Sequence, residues 1–207
     1  MTDLHPISGI ILAGGQSKRM GRTKAMLEIG GVSLLERVAG HLASVCQEVI
    51  IVTRDPAGLA NMDYRIVKDM APSQGPLVGV TTGLFYARYP WSLITACDLP
   101  FLKREFLAKL AELTREITRG PKAIVPQTPD GWQPLVAAYH KDCLKPAQRL
   151  LAQGERKLDN LRDHGVKWIS IPADSFRDVD PELESFINVN TPDEYEKARI
   201  RIEGLES

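Results

Sequence analysis

An excess of charge of either sign is absent from this chain: 26 Lys and Arg stand against 26 Asp and Glu, a formal net charge of zero. No overall basic field is available to condense on nucleic acid or anionic lipid, so any positive patch has to be local. Long apolar runs are absent as well. The stretch near the start, Ile10 to Ala13, falls far short of the roughly 18 to 20 residues of a membrane span and is too short for a signal-peptide core. Neither nucleic acid nor a membrane is therefore expected as a partner, and a cytoplasmic location is. Cysteine is scarce. Cys46, Cys97 and Cys143 are odd in number and far apart, form no C-x-x-C pair and no disulfide framework, and read as buried thiols in a reducing compartment. Nucleophilic catalysis also lacks its usual parts, because His5, His41, His140 and His164 are scattered and none pairs with a nucleophile in sequence.

What is present is an ordinary globular composition, 43% hydrophobic and 25% charged over 207 residues, enough for one domain with its own core. With no internal repeat, low-complexity tract or linker, residues 1–207 read as a single domain. Short β-branched runs alternate with segments of helical period, the pattern of an α/β sheet built from crossover units. Strands are expected at Gly9 to Leu12, Val49 to Thr53, Tyr64 to Lys68, Trp91 to Ala96, Ala123 to Pro126, Leu135 to Tyr139 and Lys167 to Ile171. Helices are expected over Ser33 to Val45, Leu77 to Tyr86, Lys103 to Thr118 and near Asp142 to Gln153, with a helical turn around Leu158 to Asp163. A last helix starts at Pro192, where Thr191-Pro192-Asp193-Glu194 supplies an N-cap hydroxyl, a proline at N1 and a glutamate at N3.

The segment that carries chemistry is Leu12-Ala13-Gly14-Gly15-Gln16-Ser17-Lys18-Arg19-Met20-Gly21-Arg22-Thr23-Lys24, directly after the first strand. Its glycines let backbone N–H groups approach a phosphate chain, and its cations add charge-assisted hydrogen bonds. It is neither the G-x-x-x-x-G-K-[ST] loop nor the G-x-G-x-x-G fingerprint, so it reads as a polyphosphate cradle of a different kind. Open α/β sheets bind ligands at the carboxyl ends of their strands, which is where this loop falls. Asp98, after the apolar strand Ser92 to Ala96 and before Leu99-Pro100, belongs at the same edge. Mg²⁺ takes one or two protein carboxylates and leaves its other positions to water and phosphate oxygens, which makes Asp98 a sensible metal ligand beside a phosphate cradle.

Three motifs in this order, L-A-G-G-x-S-x-R-M-G-x-x-K after the first strand, C-D-L-P after the fourth and N-V-N-T-P before the last helix, resemble the molybdenum cofactor guanylyltransferases of the nucleotidyltransferase superfamily. The likeness runs from Gly9 to Tyr195. It implies a three-layer α/β/α sandwich around a Rossmann-like, mostly parallel sheet. It also implies an enzyme that transfers GMP from GTP to molybdenum-loaded molybdopterin and releases pyrophosphate. Leu12, Ala13 and Gly14 would line the guanine and ribose pocket, while Gly15, Ser17 and Arg19 meet the phosphates. Lys24 matches the family lysine at the nucleotide phosphates, Asp69 a GTP-contacting aspartate, and Asp98 the magnesium ligand that also touches the nucleotide. Asn188 and Asn190 match asparagines near the metal and the acceptor. Gln74 to Gly79 fits a segment near the base, and Gln133 to Leu135 and Gly154 to Lys157 fall on the pterin side. Proteins that deliver the molybdenum cofactor or receive the product are implied as further partners, and a monomer is favoured.

A phosphate acceptor is already ionised at neutral pH, so catalysis reduces to in-line positioning and charge neutralisation by Lys24, Arg19 and Mg²⁺ on Asp98. The chain departs from the family where G-x-D-K becomes Gly21-Arg22-Thr23-Lys24 and where a nucleotide-contacting asparagine becomes Thr53-Arg54. Three other readings stay open on the residues. The first is a cytidylyltransferase for molybdopterin or another small phosphate, though such enzymes commonly carry L-A-A-G. The second is a sugar-1-phosphate nucleotidyltransferase, and the third a non-catalytic nucleotide-binding regulatory module.

Overall fold

The computed structural model describes residues 6–14, 24–71, 75–115 and 120–205. In chain order its elements are β1 (Ile7–Leu12), β2 (Glu28–Ile29), β3 (Val32–Ser33), α1 (Leu34–Ala43), β4 (Glu48–Thr53), β5 (Arg65–Lys68), α2 (Pro76–Tyr86) and β6 (Trp91–Ala96). These are followed by α3 (Arg104–Glu112), β7 (Lys122–Thr128), β8 (Gly131–Trp132), β9 (Val136–His140), α4 (Leu144–Ala152), α5 (Asn160–Asp163), β10 (Lys167–Pro172) and α6 (Pro192–Leu205). The main sheet runs β10-β7-β9-β6-β1-β4-β5, with β8 paired to β7 beside that path. Strand β1 lies parallel to β4 and β6, β4 to β5, and β7 to β10; β9 runs antiparallel to both β6 and β7. The sheet is thus mostly parallel, as the sequence implies.

The side-chain period of two sorts the strands' apolar residues onto two covered faces. Ile7, Ile11, Ile51 and Leu93 pack with Leu35, Val38 and Leu42 of α1 and Phe106, Leu107 and Leu110 of α3. Ile10, Ile50, Val52 and Ile94 pack with Leu77, Val80 and Leu84 of α2 and Ala147 and Leu150 of α4. Helices on both faces make the three layers. Close approach fixes α2 on β1: a Cβ built on Gly83 would fall 2.5 Å from Ile10 Cγ2, and one on Gly79 3.0 Å from Leu12 Cδ2. A third, smaller cluster joins Ile29, Leu34 and Val189 to Ala198 and Ile202, seating α6 on the β2–β3 hairpin.

Several boundaries differ from the sequence reading. Helix α3 ends at Glu112 rather than Thr118, and residues 116–119 lie outside the described ones. Leu135 sits in a turn ahead of β9, and Lys141–Cys143 form a 3-10 turn before α4. The β2–β3 hairpin was not foreseen, although Gly30 and Gly31 both take the positive φ (61° and 75°) that a tight two-residue hairpin turn requires. The three cysteines are buried and free, and burial pushes each thiol up to about 12, as inert core thiols require. Among the described residues no helix is long and apolar enough to cross a membrane.

Candidate active site

From β1 the chain runs outward through β4 to β5, then returns to β6 on the opposite flank of β1. Such a reversal opens a crevice outside the carboxyl ends of the two strands that part company, here β1 and β6. The backbone ladder continues one residue past the strand ends. Ala13 N–H donates to Val52 C=O (2.8 Å), Asp69 N–H to Thr53 C=O (2.9 Å) and Cys97 N–H to Leu12 C=O (3.3 Å). Gly14, Arg54, Asp69 and Asp98 consequently leave the sheet along one edge.

At this edge Lys24, which opens a 3-10 turn over Lys24–Met26, donates from Nζ to Asp98 Oδ2 at 2.5 Å and to Asn190 Oδ1 at 2.9 Å. The Lys24 and Asp98 side chains are only 14% and 19% exposed, so the pair is less screened than an ordinary surface salt bridge. Two further contacts hold Asn190 in place. Val189 N–H donates to Asp98 C=O (3.0 Å), and Glu194 Oε2 accepts from Asn190 N–H (2.6 Å) and Thr191 N–H (3.0 Å). Thr191 Oγ1 in turn accepts from Glu194 N–H (3.2 Å), completing the helix start read from the sequence. These backbone donations, from Asn190 first and Thr191 next, hold the Glu194 carboxyl below its usual value.

Asp69 forms a second centre. Burial pushes its carboxyl up, against the opposing influence of the Arg54 guanidinium and the Thr82 hydroxyl. Its Oδ1 is buried and has no hydrogen-bond partner among the described residues. Thr82 is itself well tied, donating to Val78 C=O (2.9 Å) and accepting from Met70 N–H (3.1 Å). A Cβ on Gly14 would lie 3.6 Å from Asp69 Oδ2, so the first glycine of the loop borders this carboxylate.

Of the residues singled out from the sequence, Lys24, Asp98 and Asn190 are in contact, and Gly14 adjoins Asp69. Leu12 and Ala13 are half-buried at the edge. Asn188 is exposed and takes no part in the hydrogen bonds to Lys24. Gly15, Ser17, Arg19 and Gln74 lie outside the described residues. The Thr53 hydroxyl is engaged locally, accepting from Asp55 N–H (3.3 Å). On the expected pterin side, Gln133 Nε2 donates to Thr128 Oγ1 (2.9 Å), while Arg156 C=O accepts from Leu77 N–H (3.3 Å) and ties the 154–157 loop to the start of α2.

Sequence reasoning missed two features: the direct Lys24–Asp98 contact, and Glu194 as the holder of Asn190. The second was signalled by the capping-box spacing, and the first by nothing local. Among the described residues no group of three or more His, Cys, Asp or Glu could hold a metal. The donor set suits instead a hard cation with few protein ligands, since a carboxylate oxygen and an amide oxygen already converge on one positive charge.

A family model described as the MobA-like NTP transferase domain matches residues 9–168. The molybdenum cofactor guanylyltransferase of Desulfosudis oleivorans is 34% identical over 200 residues, covering 96% of this chain and 97% of that protein. A probable molybdenum cofactor guanylyltransferase of Pelotomaculum thermopropionicum is 36% identical over 197 residues, covering 95% and 93%. Among solved structures, the molybdopterin-guanine dinucleotide biosynthesis protein A of Archaeoglobus fulgidus superposes with a TM-score of 0.82 at 26% identity, covering 95% of this chain and 99% of that one. With Lys24 and Asp98 joined at the β1–β6 switch point and the family model spanning most of the sheet, the chain belongs to the MobA-like nucleotidyltransferases.

Proposed function

We propose that this protein transfers GMP from GTP to the terminal phosphate of molybdenum-loaded molybdopterin, releasing pyrophosphate and forming the guanine dinucleotide cofactor. The observation that carries the reading is the meeting of Lys24 and Asp98 at the switch-point crevice, within a chain that aligns almost end to end with molybdenum cofactor guanylyltransferases. The acceptor phosphate needs no general base, so the protein's work is positioning and charge stabilisation. The Lys24 ammonium and the Arg19 guanidinium stabilise charge on the transferring and leaving phosphates, with Gly15 and Ser17 completing the cradle.

Leu12, Ala13 and Gly14 line the base and ribose pocket. Asp69, through its open Oδ1, accepts a hydrogen bond from the nucleotide. Gly14, where cytidylyltransferases commonly carry alanine, supports GTP over CTP. Asp98 together with Asn190 Oδ1 would hold Mg²⁺, which when bound neutralises phosphate oxygens. Asn188 lies towards the acceptor side. The protein acts as a single-domain monomer in the cytoplasm and exchanges its cofactor with delivery and acceptor proteins.

The test is pyrophosphate release with Mg²⁺ and molybdenum-loaded molybdopterin, comparing GTP, CTP, ATP and UTP. Turnover confined to GTP is expected. Preference for CTP would move the protein to cytidylyl transfer, and GTP binding without turnover would mean that the acceptor is wrong or that the protein is a binding module.

A further inference from the structure

The Lys24 ammonium lies between two oxygens, Asp98 Oδ2 at 2.5 Å and Asn190 Oδ1 at 2.9 Å, which are the donors a divalent cation would need there. A divalent ion takes such oxygens at about 2.0 to 2.1 Å if it is magnesium. An ion held by both Asp98 Oδ2 and Asn190 Oδ1 would take the place of the ammonium that now sits on them, because two cations at such close range repel one another. We infer that Lys24 is a placeholder cation: it competes with the divalent ion for Asp98 and Asn190, and is released from them when nucleotide phosphates arrive to receive it.

Lys24 is suited to this exchange. It sits at the last position of the glycine-rich loop, and a lysine is a point charge on a four-carbon stem that can swing between anions. The backbone that carries Asn190 is held in place, since Glu194 accepts its N–H at 2.6 Å. The lysine is the longer and more freely turning partner, so it is the one that leaves. By reciprocity, whatever draws Lys24 away raises metal affinity, and metal on Asp98 makes Lys24 available to the phosphates. Metal and nucleotide then bind far better together than either does alone. The inference rests on the nucleotidyl-transfer reading only in naming phosphates as the second home of Lys24.

The test is Mn²⁺ binding to the full chain without nucleotide, followed by the electron paramagnetic resonance signal of the free ion. Wild type, Lys24→Met, Lys24→Gln, Asp98→Asn and the Lys24→Met/Asp98→Asn double variant are compared. Salt is kept at about 0.15 M, where a screening length of about 8 Å damps charge effects from farther off and leaves the direct Lys24–Asp98 contact to act. Both Lys24 variants are expected to bind Mn²⁺ about tenfold more tightly than wild type, and the gain is expected to vanish in the double variant. Unchanged affinity in the two Lys24 variants, or a gain that survives Asp98→Asn, would overturn the inference. Failure of the functional reading would appear elsewhere, as wild-type protein releasing no pyrophosphate from any nucleotide, and would leave the Mn²⁺ titrations interpretable.

Discussion

Asp69 combines a carboxyl raised by burial with one oxygen that nothing in the described protein satisfies. Leaving a buried acceptor unpaired costs about 1 to 3 kcal/mol, which a ligand N–H can recover. Since the ionised carboxylate is the better acceptor, GTP affinity should rise with pH through the raised Asp69 value and then level off. Asp69→Asn should flatten that profile and weaken binding by roughly ten- to a hundredfold, in line with the roughly 1.5 to 3 kcal/mol of a hydrogen bond to a charged group. Calorimetric titration of GTP across the acid range checks both, and an unchanged profile in the variant would remove Asp69 from the nucleotide site. For stability the sign is opposite. Below the raised value the folded chain holds a proton the unfolded chain has lost, so stability falls as pH rises from the ordinary aspartate value to the raised one.

At this scale the cationic loop ending in Lys24 and the carboxylate Asp98 could be singled out because both follow strands at the sheet's carboxyl edge, whereas Asp69 was named only by the resemblance. The contact between Lys24 and Asp98 was not legible, since the two are 74 positions apart and nothing in either neighbourhood names the other.

Among the elements, α2 shows how a helix is placed by what it lacks. Gly79 and Gly83 face Leu12 and Ile10 of β1, and the Ile10 side chain is fully buried, so it has nowhere to yield. Gly83→Ala should therefore destabilise the fold by about 1 to 3 kcal/mol from overpacking, offset by up to about 1 kcal/mol of gained helix propensity. Urea unfolding reads the net loss; a stabilised variant would show that α2 can lift off β1 freely. The helices and most strands were readable because their apolar residues keep a period of 3.6 or 2. The direction of β9 was not. Its five residues, all buried, carry no mark of whether the chain enters from one end of the sheet or the other. The β2–β3 hairpin is only two residues per strand, too short for any period to register.

For the molecule as a whole, the segment that delivers Asn190 is strapped down by charge. Asp180, fully buried, accepts from Lys103 Nζ (2.8 Å) and from the Ser185 and Glu184 backbone N–H groups (2.8 and 3.1 Å). Glu184 also pairs with Lys103 (3.1 Å) and with Arg201 of α6. Burial alone would raise the Asp180 carboxyl, but the Lys103 and backbone hydrogen bonds outweigh it and hold it below the usual carboxylate value. A lowered value means stability that is present above the ordinary aspartate value and is lost as pH falls through the lowered one. Asp180→Ala, which leaves Lys103 with Glu184 alone and strips the Ser185 and Glu184 N–H groups of their acceptor, should cost about 1 to 3 kcal/mol at neutral pH and reduce the acid sensitivity of unfolding. Thermal melts at neutral and acid pH test this, and equal melting of variant and wild type at neutral pH would show the strap to be idle. No motif announced the strap, because it is assembled from α3's entry, an irregular loop and α6.

Lys24 reaches Asn190 across 166 positions of sequence. During synthesis Lys24 emerges ahead of β4 to β10, whereas Asn190 emerges only after the last described strand. A chain interrupted before that point would lack the oxygen that Lys24 meets beside Asp98, so incomplete products should be unable to consume GTP.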